Sequence, residues 1–215
     1  MARRHAPLLL ALPALVAVSA CTHASSRPAS SGRAAPPSSS SAAPAPTATG
    51  PATYSVRTGL LTEEFTTPLP TDPAQAQVVA GFREGMTLWN KSQENFGLVA
   101  PVTSYVTGSA LAGLKKSITV FGQMEEVPAG VDRLFRTQVT ALSSTAATIT
   151  TCDDGSKFVE QNPRTGAVDP SFEHQPADEV YAFETWGMTR LDGRWAITSI
   201  TPASPGSPAE KSCLP

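Results

Sequence analysis

Histidine is scarce in this chain, and its scarcity removes more chemistry than any other feature. Of the three present, His5 lies in an apolar leader and His23 in a low-complexity tract. That leaves His174 alone in the part able to fold. It sits in DPSFEHQPADE, a polar loop bounded by prolines, and reads as a surface histidine. A Ser-His-Asp arrangement would rest on that one side chain, and a zinc site would have to be completed by carboxylates. Charge is also thin: Asp, Glu, Lys and Arg make up 16% of the residues and the formal net charge is -2. Lys and Arg are scattered, adjacent only at Arg3-Arg4 and Lys115-Lys116, so the electrostatic footprint of a nucleic-acid binder is missing. There is no Walker loop, HExxH, GxSxG or glycine-rich dinucleotide fingerprint. No cofactor and no metal is expected, and beyond the leader no apolar run is long enough to span a bilayer.

What is present begins with the leader. Arg3 and Arg4 form a positive start, Pro7 to Val18 a short apolar stretch, and Val18-Ser19-Ala20 the small residues that precede a cleavage site. Cys21 follows at once. VSAC resembles the lipobox of bacterial lipoproteins, in which the cysteine thiol is diacylglycerated and becomes the new N-terminus. The expectation is a signal peptide over residues 1–20, lipidation at Cys21, and a domain held on the outer face of the cell membrane by an anchor of more than one acyl chain. Arg3-Arg4 also leaves twin-arginine export open.

From Thr22 to Pro51 the chain is almost wholly Ser, Ala, Pro and Thr, with no acidic or aromatic residue. Such a segment cannot bury enough surface to offset its ordering entropy. Residues 21–57 are therefore assigned to a disordered tether and 58–215 to the folded domain with its C-terminal tail.

In the domain, TDPAQ is a helix start: Asp72 as N-cap, Pro73 at the first helical position, Gln75 at the third. Val78, Phe82, Met86 and Trp89 then keep one face at helical spacing, and Gly97 is a natural stop. A second helical stretch, VTSYVTGSALAGLKKSITVF, is interrupted at Thr107-Gly108. Beyond it LFRTQVTAL and TAATITTC alternate as strands do. In VYAFETWGMTRLDGRWAITSI, Asp192-Gly193 separates two alternating runs and marks a hairpin. Helices followed by antiparallel strands give an α+β fold.

Once Cys21 is lipidated, Cys152 and Cys213 form an even pair in an oxidising compartment, which predicts a disulfide. The rival, a redox or metal-binding thiol pair, has neither CxxC spacing nor a nearby histidine.

FREGMTLWNKSQENFG, SYVTGSALAGL, ATITTCDDGS, TGAV and RLDGRWAITSI, spread over Thr71 to Ile200, resemble in order and pattern a group of secreted lipoproteins from high-GC Gram-positive bacteria with a nuclear transport factor 2-like (cystatin-like) domain. The resemblance implies N-terminal helices packed across a strongly curved antiparallel sheet, a cone that in relatives by fold often encloses a pocket and sometimes serves isomerases, dehydratases or cyclases. Where that pattern has Gly-Asp after the first helix, this chain has NFGLVAP, so the mouth of the cone is expected to differ.

The residues themselves offer few catalytic groups. Asp153 and Asp154 in TCDDGS read most simply as a turn, and as proton-transfer groups only if they face a pocket. Glu184 shares a strand face with Val180, Ala182 and Trp186. The simpler expectation puts it on the outer, solvated face with Tyr181 and Phe183 inside. If the face is buried, it is the best general-base candidate. Tyr105 is a possible hydrogen-bond donor in a pocket, and Trp89, Trp186 and Trp195 fit core packing. The leading expectation is a membrane-anchored lipoprotein whose domain is non-catalytic and binds an envelope protein or a small apolar ligand, or acts as an accessory module. The alternative is an isomerase- or dehydratase-type enzyme using Glu184, Asp153 or Tyr105.

Overall fold

The computed structural model describes residues 53–172, 175–176 and 180–215. The leader, Cys21, the spacer up to residue 52 and His174 lie outside the described residues. Six strands form one sheet in sequence order, β1 (Tyr54–Thr58), β2 (Leu61–Phe65), β3 (Val127–Leu142), β4 (Ala146–Gln161), β5 (Tyr181–Leu191) and β6 (Arg194–Pro202). Between β2 and β3 come two helices, α1 (Pro73–Glu94) and α2 (Gly108–Met124), and a short α3 (Pro208–Lys211) closes the chain. The class is α+β, as expected, but the sheet is mixed and is not closed into a barrel. β2 and β3 are parallel, and every other neighbouring pair is antiparallel. The reason is the connection: two helices carry the chain back along the sheet before β3 starts, and a crossover of that length returns a strand in the same direction. The first hairpin was not expected, and β1 occupies residues assigned to the end of the tether. Its short strands pair through a turn at Gly59 (φ +51°).

The helix signals acted as their chemistry requires. Asp72 Oδ1 accepts the backbone N–H of Gln75 at 2.8 Å, capping α1 with Pro73 in its first turn. The helix ends at Asn95, and the left-handed residue after it is Phe96 (φ +50°), not Gly97. Asp192 (φ +48°) and Gly193 (φ +80°) form the β5–β6 turn with the two positive angles such a tight hairpin needs.

Val78 and Phe82 are fully buried and Met86 is nearly so, against Trp186, Met188, Trp195 and Ile197 of the sheet. Phe82 meets Trp186 edge-on at 5.1 Å between ring centroids. α1 lies unusually close to β6. A Cβ on Gly81 would stand 2.7 Å from both Cβ and the carbonyl oxygen of Trp195, and one on Gly85 would stand 2.8 Å from Ile197 Cδ1. Between these two glycines Arg83 donates to the Thr67 carbonyl at 2.7 Å and lies over the rings of Tyr54 and Phe65, at 5.2 and 5.3 Å, joining the first hairpin to α1.

The sheet's other face is crossed by the C-terminal tail. Cys152 and Cys213 are disulfide-bonded, with Cα atoms 5.5 Å apart, and both are buried. The tail also pairs with the sheet through Ala203, whose N–H donates to the Phe183 carbonyl.

Two measurements check this packing. Gly81→Ala should cost about 1–3 kcal/mol in urea unfolding, because overpacking against a backbone outweighs the gain in helix propensity. An unchanged midpoint would mean that α1 does not sit this close. Replacing Cys152 and Cys213 together by Ala releases a 61-residue separation and should cost about 4 kcal/mol in the chain-entropy account. No loss beyond about 1 kcal/mol would show that the link constrains little.

Candidate functional site

The helix-facing surface of the sheet changes character along its length. Beneath Phe82 it is apolar, with Ile149, Trp186 and Met188. Moving along the same faces by steps of two residues, β4 runs from Ile149 through Thr151 to Asp153, and β5 from Trp186 through Glu184 to Ala182. On β3 the residue two before buried Leu134 is Asp132, and in the parallel register Asp132 is opposite Glu63 of β2. Glu63, Asp132, Asp153 and Glu184 thus form a row of carboxyl groups across four adjacent strands, on the face that α1 covers. Glu63 is wholly buried and accepts a hydrogen bond from Thr87 of α1 at 3.4 Å.

Asp153 and Asp154 are not in a turn. β4 continues through them to Gln161, and they sit at its middle, paired with Leu134 and Arg133 on one side and with Ala182 and Tyr181 on the other. A register irregularity between Val131 and Arg133 accommodates the sequence that looked like a turn. The two carboxylates point to opposite faces. Asp154 meets Arg133 at 3.2 Å on the outer side, where Arg133 also contacts Glu64 at 3.0 Å. Asp153 points inward, beside Asp132 of β3. Glu184 is likewise on the inner face, correcting the expectation that it faces solvent. The register leaves no choice, because Trp186 at the next inward position packs on Phe82.

Counted over the whole residue, Asp132, Asp153 and Glu184 are half-buried, yet their carboxyl groups are desolvated. Burial is the first cause that pushes all of them up. Asp153 is raised well above the usual carboxylate range, by burial and then by Asp132, with Glu184 and Asp154 adding repulsion. Asp132 is raised by burial, with Asp153 partly opposing the rise and Asp154 adding to it. Both acids are therefore held toward the protonated form, and they titrate as a pair. Glu184 is pushed to about 7 by burial and by Asp132, and its neighbour Trp186 partly opposes the rise. Glu63 is also raised well above its ordinary value by burial, then by Asp132. Glu94 at the end of α1 is raised by burial, partly offset by the Leu61 and Leu60 backbone and the Thr58 hydroxyl.

Beside the Asp132–Asp153 pair opens a cavity of about 270 Å³, lined by Gly155, Phe158, Phe172, Gln175, Val180 and Ala182 in addition to both acids. Phe158 and Phe172 form one wall, their rings 5.8 Å apart. The structure brings Asp153 to this cleft with Asp132, which sequence reasoning did not single out. Glu184 stands next to the pair, outside the lining. Tyr105 is elsewhere: its ring packs on the core and its carbonyl accepts from Ile197 beneath α2. Glu126, Glu160 and Asp169, also missed, bring ligand atoms within 4.8 Å of one another at the far end of β4, and Glu160 is pushed to about 7 by burial, with Glu126 and Asp169 adding to it. Chemically, such a trio holds protons or a cation. Asp132 would have been detectable only by knowing its pairing with β2 and β4.

Among the described residues no helix is long and apolar enough to cross a membrane. No protein-family profile matches the chain, and no curated protein sequence matches it. Among solved structures it is similar to the intermembrane-space region of the chloroplast protein ARC6, with a TM-score of 0.36 and 15% identity over 63% of this chain and 99% of that one. It is also similar to Aln2 from a Streptomyces species, with a TM-score of 0.41 and 13% identity over 62% of this chain and 92% of that one. At these scores neither likeness carries an argument about fold or activity.

The buried acids set the direction of pH dependence. Groups raised in the fold bind protons that the unfolded chain has already released, so stability is greatest below the unfolded carboxylate range and falls as pH rises toward the folded value. For Glu184, at about 7, the fall should run from about pH 4.5 to 7.5, with a slope of up to about 1.4 kcal/mol per pH unit for each extra proton held. Urea midpoints at pH 5 and pH 8 should differ in that sense, and Glu184→Gln should flatten the curve. A midpoint that rises over this interval would contradict the burial of the row.

Proposed function

We propose that this chain is an extracytoplasmic lipoprotein, anchored through Cys21 to the outer face of the cell membrane, whose α+β domain binds a small molecule in the cleft beside Asp132 and Asp153. The observation that carries the binding site is the cleft itself: a concavity of about 270 Å³ with an aromatic wall and one convergent polar feature, the Asp132 and Asp153 carboxyls. Support for the anchor comes from VSAC after a short apolar leader, and from the Ser/Ala/Pro/Thr spacer that would lift the domain off the headgroups. A long helix laid over one face of a sheet interrupted by register irregularities supports reading the domain as a nuclear transport factor 2-like cone that is open at one side. The apolar ligand expected from the sequence becomes one with a polar group, since an entirely apolar molecule would leave both carboxyls without a partner.

A second reading has its own supporting observation. Two buried carboxyls side by side at a cleft can act as a general acid beside a general base. An isomerase or dehydratase acting on a carbon acid would use one of Asp132 and Asp153 as base and the other as acid, with Glu184 behind them adding to the repulsion that holds a proton on the pair.

Two experiments address the parts separately. Cys21→Ser should release the protein from the membrane fraction into the medium, and persistence in membranes would refute the anchor. Ala182→Leu should fill the cleft with little change in melting temperature and abolish binding of cleft ligands found in a fragment screen. Fragments that bind this variant as tightly as the parent would place the ligand site elsewhere.

A further inference from the structure

The acid row has a more specific consequence, resting on the reading that the cleft is a ligand site. Glu63, Glu184 and Asp154 surround Asp132 and Asp153 from β2, β5 and β4, and Glu94 approaches Glu63 from α1. Among the described residues, none of the charges that act on Glu63, Asp132, Asp153 or Glu184 is a cation, and Arg133 is turned away from them. It lies on the outer face, where Glu64 and Asp154 occupy it. Inside, Glu63 Oε1 and Asp153 Oδ1 are buried with no amide or hydroxyl donor. Glu63 itself is 0% exposed and sits opposite Asp132. The interior therefore gathers carboxyl groups that burial and mutual repulsion hold toward the protonated form, and it opens into a cleft whose wall is two packed phenyl rings.

We infer that the cleft takes a small organic ammonium ion, its charged head paired to Asp132 and Asp153 and its apolar body against Phe158 and Phe172. A positive head supplies donors for both carboxyls at once, and the ring faces attract the same charge. A bare metal ion fits less well. The group of three acids whose ligand atoms come within 4.8 Å of one another is Glu126, Glu160 and Asp169, whereas the cleft offers a pair. Binding exchanges one positive charge for another: the ammonium enters, the N–H···O contacts form, and a proton held by the acid pair leaves to solvent.

The test is isothermal titration of the full-length chain in detergent with benzylamine, which stays protonated across the range, and with benzyl alcohol as its uncharged counterpart. Benzylamine should bind at least tenfold more tightly than the alcohol. Titration in buffers of different ionisation enthalpy should show release of up to one proton. Affinity should rise with pH, by up to tenfold per unit, until the pair has lost its proton. Asp153→Asn should weaken benzylamine at least tenfold while leaving benzyl alcohol within twofold, which also shows that the variant is folded. Equal binding of amine and alcohol overturns the ammonium inference and leaves a cleft that binds neutral molecules. Binding of neither overturns it together with the small-molecule reading. Calcium chloride displacing benzylamine at equal concentration would reassign the site to a metal ion.

Discussion

The closeness of α1 to β6 is the constraint on which the rest of the structure depends. Gly81 and Gly85, one turn apart, let the helix backbone rest against Trp195 and Ile197. A helix at ordinary distance would leave Phe82 short of Trp186. Once α1 is seated there, its 22 residues reach across the sheet toward β2 and β3. Its last turns then cover Glu63, and Glu94 meets the first hairpin turn.

That placement gives one sheet face two kinds of environment. Near β6 the covered residues are apolar and interdigitate. Toward the opposite end of β4 and β5 the same inward positions carry carboxyl groups. An acid row buried under a helix costs stability unless its members are protonated or paired. The fold retains it beside a cleft, and that juxtaposition, more than any single side chain, is what directs attention to ligand binding. Glu184 gains importance through Asp132 and Asp153 rather than alone.

The tail works on the other face. With Cys152 on the outward side of β4, the disulfide draws the chain end across strands that would otherwise lie bare, and Arg133, Glu64 and Asp154 occupy the outer surface beside it. The two faces therefore divide the labour, with the outer face carrying the covalent link and an ion-pair network and the inner one the core and the cleft.

Local chemistry was legible in the sequence. The Asp72 cap, the apolar face of α1, the break before Gly108, the Asp192-Gly193 hairpin and the pairing of Cys152 with Cys213 follow from residue types at short range or from cysteine count, and the structure has them all. Long-range pairing was not legible. The parallel register of β2 with β3 depends on a crossover of two helices, and no local pattern announces it. Asp153-Asp154-Gly155 has turn composition, but neighbours on both sides held it in a strand. Glu184 faces inward because Trp186 must meet Phe82, a contact between residues far apart in the chain. The sequence by itself determined the two long helices and the β5–β6 hairpin, because those preferences arise within a few residues of backbone. Only the tertiary structure decided that Glu63, Asp132, Asp153 and Glu184 share one buried surface, because strand register is set by what the whole sheet can bury.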